Sequence, residues 1–276
     1  MFTTNPFAEL SATIPSGLMQ AYVILMILLV VGGTLYDVWH KGSAKYFFDN
    51  WNRTQDKGAR PIGGGEVASL AVQTVAKDVL TSAEFCNRDR RIAHLLTMYG
   101  FILYLIATIS LVFGGAEASS FMIFLWYVGA LMVCGGGYWF WFFIRVDVAA
   151  EGHSPFRLVR ADLFVLSLLG TVTFGILWGI GQSVGGSALT VIFLILYVIA
   201  ATVLFGSVPW SKFAHMFFKP AAAFEKRVAK ANGSAMNLPT LTRDDPEQQR
   251  RHSMELLRDA PMDMGLGIKR EVPRHY

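Results

Sequence analysis

Cysteine is almost absent from this chain. There are two, Cys86 and Cys134. One falls in a polar stretch and the other inside an apolar run, so they are not expected to pair. With no CxxC and no cluster of cysteines, the chain holds no cysteine-ligated iron–sulfur cluster of its own. Charge is scarce too: 16% of residues are charged and 53% are hydrophobic. Lys and Arg are missing altogether from residues 1–16, from Gly114–Ser120 and from Ser183–Ser187. The motifs of soluble catalysis are missing as well. There is no P-loop, no HExxH, no nucleophile elbow and no dinucleotide-binding glycine pattern. No internal repeat or low-complexity segment stands out.

Long apolar runs are what the chain does have. A segment of about 20 apolar residues is needed to cross a hydrocarbon core of roughly 30 Å. Five runs qualify: Gly17–Tyr36, Ile92–Phe113, Phe121–Ile144, Leu163–Gln182 and Ala188–Val208. In lipid each must be helical, because its backbone polar groups have no water to bind. The first run lacks a basic segment before it and a small-residue cleavage pattern after it, and reads as a retained span.

The basic residues set the orientation. All 24 Lys and Arg lie in Asp37–Arg91, in Arg145–Arg160 or after Val208. With five spans these three regions share one face, and positively charged loops stay cytoplasmic. The expected fold is therefore an all-α integral membrane protein with five transmembrane helices, its N-terminus outside and its C-terminus cytoplasmic. Residues 1–16 form an extracytoplasmic N-terminus. Residues 17–220 form the membrane domain, with a cytoplasmic loop at 37–91, and 221–276 form a cytoplasmic tail that binds a partner. The loop breaks at Arg60-Pro61-Ile62-Gly63-Gly64-Gly65. A helical pattern follows from Glu66 to about Leu80, with Val67, Leu70, Ala71, Thr74, Val75 and Val79 on one face. The tail is polar and charged, suited to lying on a partner rather than folding alone. Its basic residues suit anionic lipid headgroups and an acidic protein face, and no nucleic acid is expected.

Six histidines are present, at 40, 94, 153, 215, 252 and 275. His94 opens the second span and His215 follows the fifth. If the fifth helix runs on through Pro209, the two lie at similar depth on antiparallel helices, which is what a bis-imidazole haem b requires. Arg90, Arg91 and Lys212 lie close in sequence and could neutralise its propionates. The plainer alternatives are interfacial histidines and snorkelling cations. His40 is a possible substitute ligand. His153 is a candidate proton shuttle in a short loop, where a solvated residue is equally expected. Arg160 and Asp162 open the fourth span. The third span ends in Cys134-Gly135-Gly136-Gly137 and the aromatic run Tyr138–Phe143. The glycines admit a close neighbour, either a helix or a flat cofactor. The aromatics suit an interfacial belt or the wall of a quinone pocket.

Two stretches carry a resemblance. Arg90-Arg91-Ile92-Ala93-His94-Leu95-Leu96-Thr97-Met98-Tyr99-Gly100-Phe101 and Val208-Pro209-Trp210-Ser211-Lys212-Phe213-Ala214-His215 resemble the cytochrome b module of respiratory nitrate reductase gamma subunits. The same module occurs in membrane heterodisulfide-reductase-like subunits and in the quinone-interacting membrane-bound oxidoreductase. In that family four histidines bind two haems b, with pairs spaced ten residues apart on the second span and eighteen on the fifth. The resemblance implies that His94 and His215 ligate the haem nearer the cytoplasm. Tyr104 and Tyr197 stand at the other two positions, which implies one haem b rather than two. Without the family's soluble iron–sulfur extension, the chain is most similar to the membrane anchor subunits of dissimilatory adenylylsulfate reductase. That likeness implies an electron-transfer subunit in the inner membrane of a bacterium. It would link a cytoplasmic iron–sulfur flavoprotein, the adenylylsulfate reductase alpha and beta subunits, to membrane quinone. A quinone reduced on the inner half would take cytoplasmic protons, making the complex non-electrogenic. The alternative is a haem-free structural anchor for the same kind of partner. A small transporter is a third reading, opposed by the absence of a midplane charge.

Overall fold

Each long apolar run is a helix, and capping residues mark several of the boundaries. The computed structural model describes residues 4–83, 85, 87–146, 154–211, 213, 215–236 and 238. It is helical throughout, with no strand among the described residues. The helices are α1 (Pro6–Leu10), α2 (Ser16–His40), α3 (Ser43–Asp56), α4 (Gly64–Gln73), α5 (Arg88–Gly114), α6 (Ser120–Trp139), α7 (Leu163–Ser183), α8 (Ala188–Gly206) and α9 (His215–Ala231). Helix α4 widens into a π-helix over Thr74–Leu80, and α6 over Phe140–Ile144. Five of them, α2 and α5 to α8, are long and apolar enough to cross a membrane. Ser119 caps α6 through the Phe121 amide, and Ser187 caps α8 through the Thr190 amide.

The chain divides into two units. The first comprises Met1–Lys41, Ile92–Phe143 and Phe156–Ala214. Its helices α5 to α8 run alternately up and down, as the residue pairs in contact show. Close glycine contacts hold α5 against α6. A Cβ on Gly100 would sit 2.7 Å from the Gly129 carbonyl oxygen, and one on Gly129 would sit 2.7 Å from the Gly100 carbonyl oxygen. Further along the same interface a Cβ on Gly136 would meet the Ala93 carbonyl oxygen at 2.5 Å. Without a hydrophobic drive between helices in lipid, such close backbone approach is what holds them together. Gly137 lies against Leu169 of α7, and Gly181 of α7 against Thr190 of α8. The glycine run at 135–137 is thus largely a helix-packing device. Helix α2 is peripheral: it touches α8 through the Tyr22 hydroxyl, 3.1 Å from the Val198 carbonyl oxygen and 2.9 Å from Thr202 Oγ1. Most of its large side chains face outward, among them Leu18, Ile24, Leu28, Val31 and Leu35.

The short α1 folds back onto this bundle. Asn5 Nδ2 donates to the Leu111 and Gly115 carbonyls at 3.0 and 2.8 Å, satisfying the end of α5. Phe7 then enters the bundle edge-on to Trp126 and Trp178, with ring centroids 5.9 and 5.1 Å away.

The second unit comprises Gly42–Arg91, Ile144–Pro155 and His215–Tyr276. Helix α9 packs on α3, α4 and the π-helix. Trp51 stacks on Phe224 at 5.7 Å, and Arg227 forms a two-pronged ion pair with Asp78 at 2.7 and 2.8 Å. The expected boundary between residues 220 and 221 falls inside α9. The first part of the tail, to Asn232, folds onto the loop rather than waiting for a partner. Of the expected apolar face, Val67, Leu70, Ala71, Thr74 and Val79 are at least half-buried, whereas Val75 is exposed. The change to a π-helix at Thr74 rotates the register by part of a turn, and Val75 is the residue that leaves the face.

Candidate functional site

His94 sits in the second turn of α5 and is half-buried. Phe101, seven residues on, lies on the same helical stripe. It is buried and belongs to a phenylalanine cluster: Phe205 lies 6.4 Å away, and Phe213 lies 6.5 Å away and edge-on. Phe164, in the first turn of α7, meets Phe213 edge-on at 5.3 Å. The stripe that carries His94 therefore leads down onto an aromatic floor.

His215 departs from expectation. Helix α8 ends at Gly206 and does not run on through Pro209. A 3-10 turn, Val208–Trp210, follows. Both the Trp210 and the Ser211 amides donate to the Ser207 carbonyl, at 2.9 Å each, and Ser211 is extended at φ −113° and ψ 176°. Pro209 supplies no N–H to continue the helix, and Phe213 is drawn into the cluster. His215 is therefore the first residue of α9, nine positions beyond the end of the fifth span. The spacing from Tyr197 to His215 is not a spacing along one helix.

Of the expected propionate partners, Arg91 donates from Nε to the Thr81 carbonyl at 2.7 Å. Arg90 lies over the Phe85 ring at 5.8 Å, with Lys219 over the same ring at 5.4 Å. Lys212 lies outside the described residues, as do Cys86, His153, His252 and His275. His40, the substitute ligand, stacks on Tyr36 with centroids 5.4 Å apart. Asp162 is buried and accepts from the Val159 amide at 2.9 Å, the helix-start role open to it from the sequence. At the third span's aromatic end, the Tyr138 hydroxyl lies 2.8 Å from Thr173 Oγ1, while Phe142 and Phe143 face outward as an interfacial belt would.

No family model, curated protein or solved structure matches the chain.

Tyr104 and Tyr197 lie away from His94, inside a second aromatic cluster. Tyr104 stacks on Trp126 at 5.3 Å and Tyr197 on Trp178 at 5.7 Å. Trp126 and Trp178 meet edge-on at 6.5 Å, and Trp126 Nε1 donates to Thr108 Oγ1 at 3.0 Å. Gly175 is wedged between the two tyrosines: a Cβ there would be 2.7 Å from the Tyr104 hydroxyl and 3.4 Å from the Tyr197 ring.

A third feature escaped the sequence reading. Asp37, near the end of α2, is 2% exposed. Its Oδ1 pairs with Lys41 Nζ at 2.5 Å. Its Oδ2 is buried with no hydrogen-bond partner, as are Thr34 Oγ1 and Ser207 Oγ. The only sequence signal was Lys41 four residues beyond an acid at the end of a span.

In the second unit, Glu66 accepts twice from Arg60, and the guanidinium holds its carboxyl below the usual range. Burial without a partner for Oε1 pushes the Glu225 carboxyl up.

Proposed function

We propose that this chain is a multi-pass subunit of the inner membrane of a bacterium. It passes electrons from a cytoplasmic iron–sulfur flavoprotein to membrane quinone through one haem b held by His94 and His215. Five long apolar helices and the confinement of all 24 Lys and Arg to three same-side regions support the membrane assignment, with the N-terminus outside. The observation that carries the redox reading is the position of His94: a half-buried imidazole at the basic end of a span, above the floor of Phe101, Phe205, Phe164 and Phe213. His94 and His215 would hold the haem iron, and Arg90 and Arg91, on the same helix as His94, would face its propionates. Such a group, when bound, supplies a one-electron relay. The phenylalanines of the first unit would keep water from such a group.

The aromatic cluster of Tyr104, Trp126, Trp178 and Tyr197 supports a single haem. Those side chains occupy the bundle where a second ring would stand. Electrons would then reach quinone on the cytoplasmic half, with protons drawn from the same side and no net charge moved across the membrane. The partner that fits the resemblance is adenylylsulfate reductase, docked on the loop and tail.

A second reading is a haem-free anchor for the same kind of partner. The helix break after Gly206, which takes His215 off the fifth span, favours it. Reduced-minus-oxidised spectra of the purified chain separate the two. A b-type band at one haem per chain, lost in His94→Ala and in His215→Ala, supports the redox subunit. A colourless chain leaves only the anchor, and two haems per chain contradict the role given to Tyr104 and Tyr197.

A further inference from the structure

Helix α9 carries charge of one sign along one side. Its cations are Lys219, Lys226, Arg227 and Lys230, and its one acid is Glu225. Arg227 is committed to Asp78 in the two-pronged ion pair. The three lysines fall within about 40° of one another on the helical wheel, in a row about 16 Å long, and Glu225 falls about 100° away from the nearest of them. Lys219 and Lys230 are exposed and Lys226 is half-buried, and none has an ion pair among the described residues. Phe224, Val228 and Asn232 fall on the opposite side of the helix. Val228 and Asn232 are buried there, and Phe224 stacks on Trp51 of α3. The packing of the second unit therefore uses the other face and leaves the row unused. The row even opposes the helix, because Lys226 and Lys230 are like charges four residues apart.

One end of the row is fixed against the start of α5. Lys219 Nζ lies 5.4 Å from the centroid of Phe85, and Arg90 Cζ lies 5.8 Å from the same centroid. The two charges are thus no farther apart than the sum of those distances. Phe85, Arg90 and α9 all belong to the second unit. Arg90 stands in the first turn of α5, and the apolar run of that helix begins two residues later, at Ile92. A cation just outside a spanning apolar run stands at the level of the headgroup phosphates. Met216 adds an exposed apolar side chain about 60° from Lys219 on the wheel. Lysines with an apolar neighbour on one helix face are the signature of a helix lying in the interface plane. An acidic protein would match the row in charge, but the depth of Arg90 and the exposed Met216 favour lipid.

We infer that α9 lies along the inner surface of the bilayer, with Lys219, Lys226 and Lys230 on the phosphates of anionic phospholipids. This rests on the membrane assignment above and is independent of the haem. Each ammonium donates charge-assisted hydrogen bonds to phosphate oxygens, and the cytoplasmic leaflet is the anionic one. The consequence reaches the rest of the second unit. Helix α9 is the element on which α3, α4 and the π-helix pack. A lipid that binds the closed unit and not the opened one stabilises it by linkage. The loop and the tail are then held together most firmly where anionic lipid is abundant.

The test is hydrogen exchange of the α9 amides in the full chain, reconstituted in nanodiscs of phosphatidylcholine alone or mixed with phosphatidylglycerol. At low salt, phosphatidylglycerol should slow exchange about 5-fold for each lysine engaged, the factor one lysine supplies near an anionic surface. Salt at 1 M, where the screening length is about 3 Å, should remove most of the gain. Lys219→Gln, Lys226→Gln and Lys230→Gln together should exchange like wild type in phosphatidylcholine and gain nothing from phosphatidylglycerol. Each single change should lose about 5-fold of the gain, and arginine at all three positions should keep it. Equal exchange of the wild type in the two lipids overturns the inference. So does a gain that the triple glutamine variant retains or the triple arginine variant loses. Poly-L-glutamate, added to phosphatidylcholine nanodiscs, stands in for an acidic protein: protection by it with none from phosphatidylglycerol assigns the row to a protein and overturns the lipid. A chain that does not enter nanodiscs overturns the membrane assignment and this inference with it, whereas a colourless chain overturns the redox reading alone.

Discussion

Asn232 holds the second unit together, and replacing it by alanine should loosen that unit selectively. The residue is 1% exposed. Its Nδ2 donates to the carbonyl of the fully buried Thr54 at 2.6 Å, and its Oδ1 accepts from the Ser234 amide at 2.9 Å. Its backbone carbonyl accepts from the Ala59 amide at 2.8 Å, a bond that a side-chain change leaves in place. Alanine would leave the Thr54 carbonyl buried without a donor, at about 1–3 kcal/mol, and would lose the Ser234 bond at about 1 kcal/mol. The sum is about 2–4 kcal/mol, or a roughly 30- to 700-fold rise in the opened fraction of the unit. Hydrogen exchange of the α9 amides in the full chain reads that fraction directly, because local opening is what exposes them. Asn232→Asp is the sharper control. It keeps the acceptor for Ser234 but turns a carboxylate toward the Thr54 carbonyl, so it should lose at least as much protection as alanine. Wild-type protection in both variants would refute the assignment of Asn232 as the tie between α3 and α9.

Two further outcomes follow from the packing and the charges. Gly136→Ala should lower the melting temperature by an amount corresponding to about 1–3 kcal/mol, because its Cβ would press on the Ala93 carbonyl, whereas Gly135→Ala, with nothing within 4 Å, should leave it unchanged. Glu225→Gln should stabilise the second unit at neutral pH. The folded carboxyl is raised by burial, so its favourable contribution is present below the ordinary glutamate range and is lost as the pH rises through the folded value; the gain from Gln should therefore vanish in acid, and a gain that persists there would refute the cause.

The sequence disclosed the spans because lipid leaves a chain little choice. Their expected ends fall within about four residues of the helices observed. What hydropathy reports, however, is depth and not direction. Asp37 reads as the first polar residue after a span, and only the contact of Gly33 with Val208 and Pro209 shows it turned inward. Helix α3 went unread because its apolar residues are few and clustered in Tyr46-Phe47-Phe48 and Trp51, so no long periodic pattern forms. The docking of Phe7 between Trp126 and Trp178 joins residues more than a hundred positions apart, and no local signal announces it. The end of α8 was misjudged for a different reason. Apolar composition continues to Val208, and a proline within a membrane helix is often only a kink. Here Ser207 accepts two amides in a tight turn and Phe213 gains a buried place, which together outweigh continuing the helix.

The same contrast separates the two ends of the bundle chemically. Around Tyr104 and Tyr197 the interior is filled by four large rings with Phe7 set against them, and Gly175 and Gly179 are both needed to admit tyrosine hydroxyls between the helices. Close packing of that kind leaves no space for a further group and resists one being made. At the other end the interior is less finished. His94 is half-buried two turns from Phe101 on α5, and α8 stops at Gly206. Three polar atoms between α2 and the following turn lack partners. Unsatisfied groups persist in a fold only where something outside the fold's own stability retains them. Within the first unit, close ring packing is thus concentrated around Tyr104 and Tyr197, and the unpartnered carboxylate oxygen at the contact of α2 with the turn after α8.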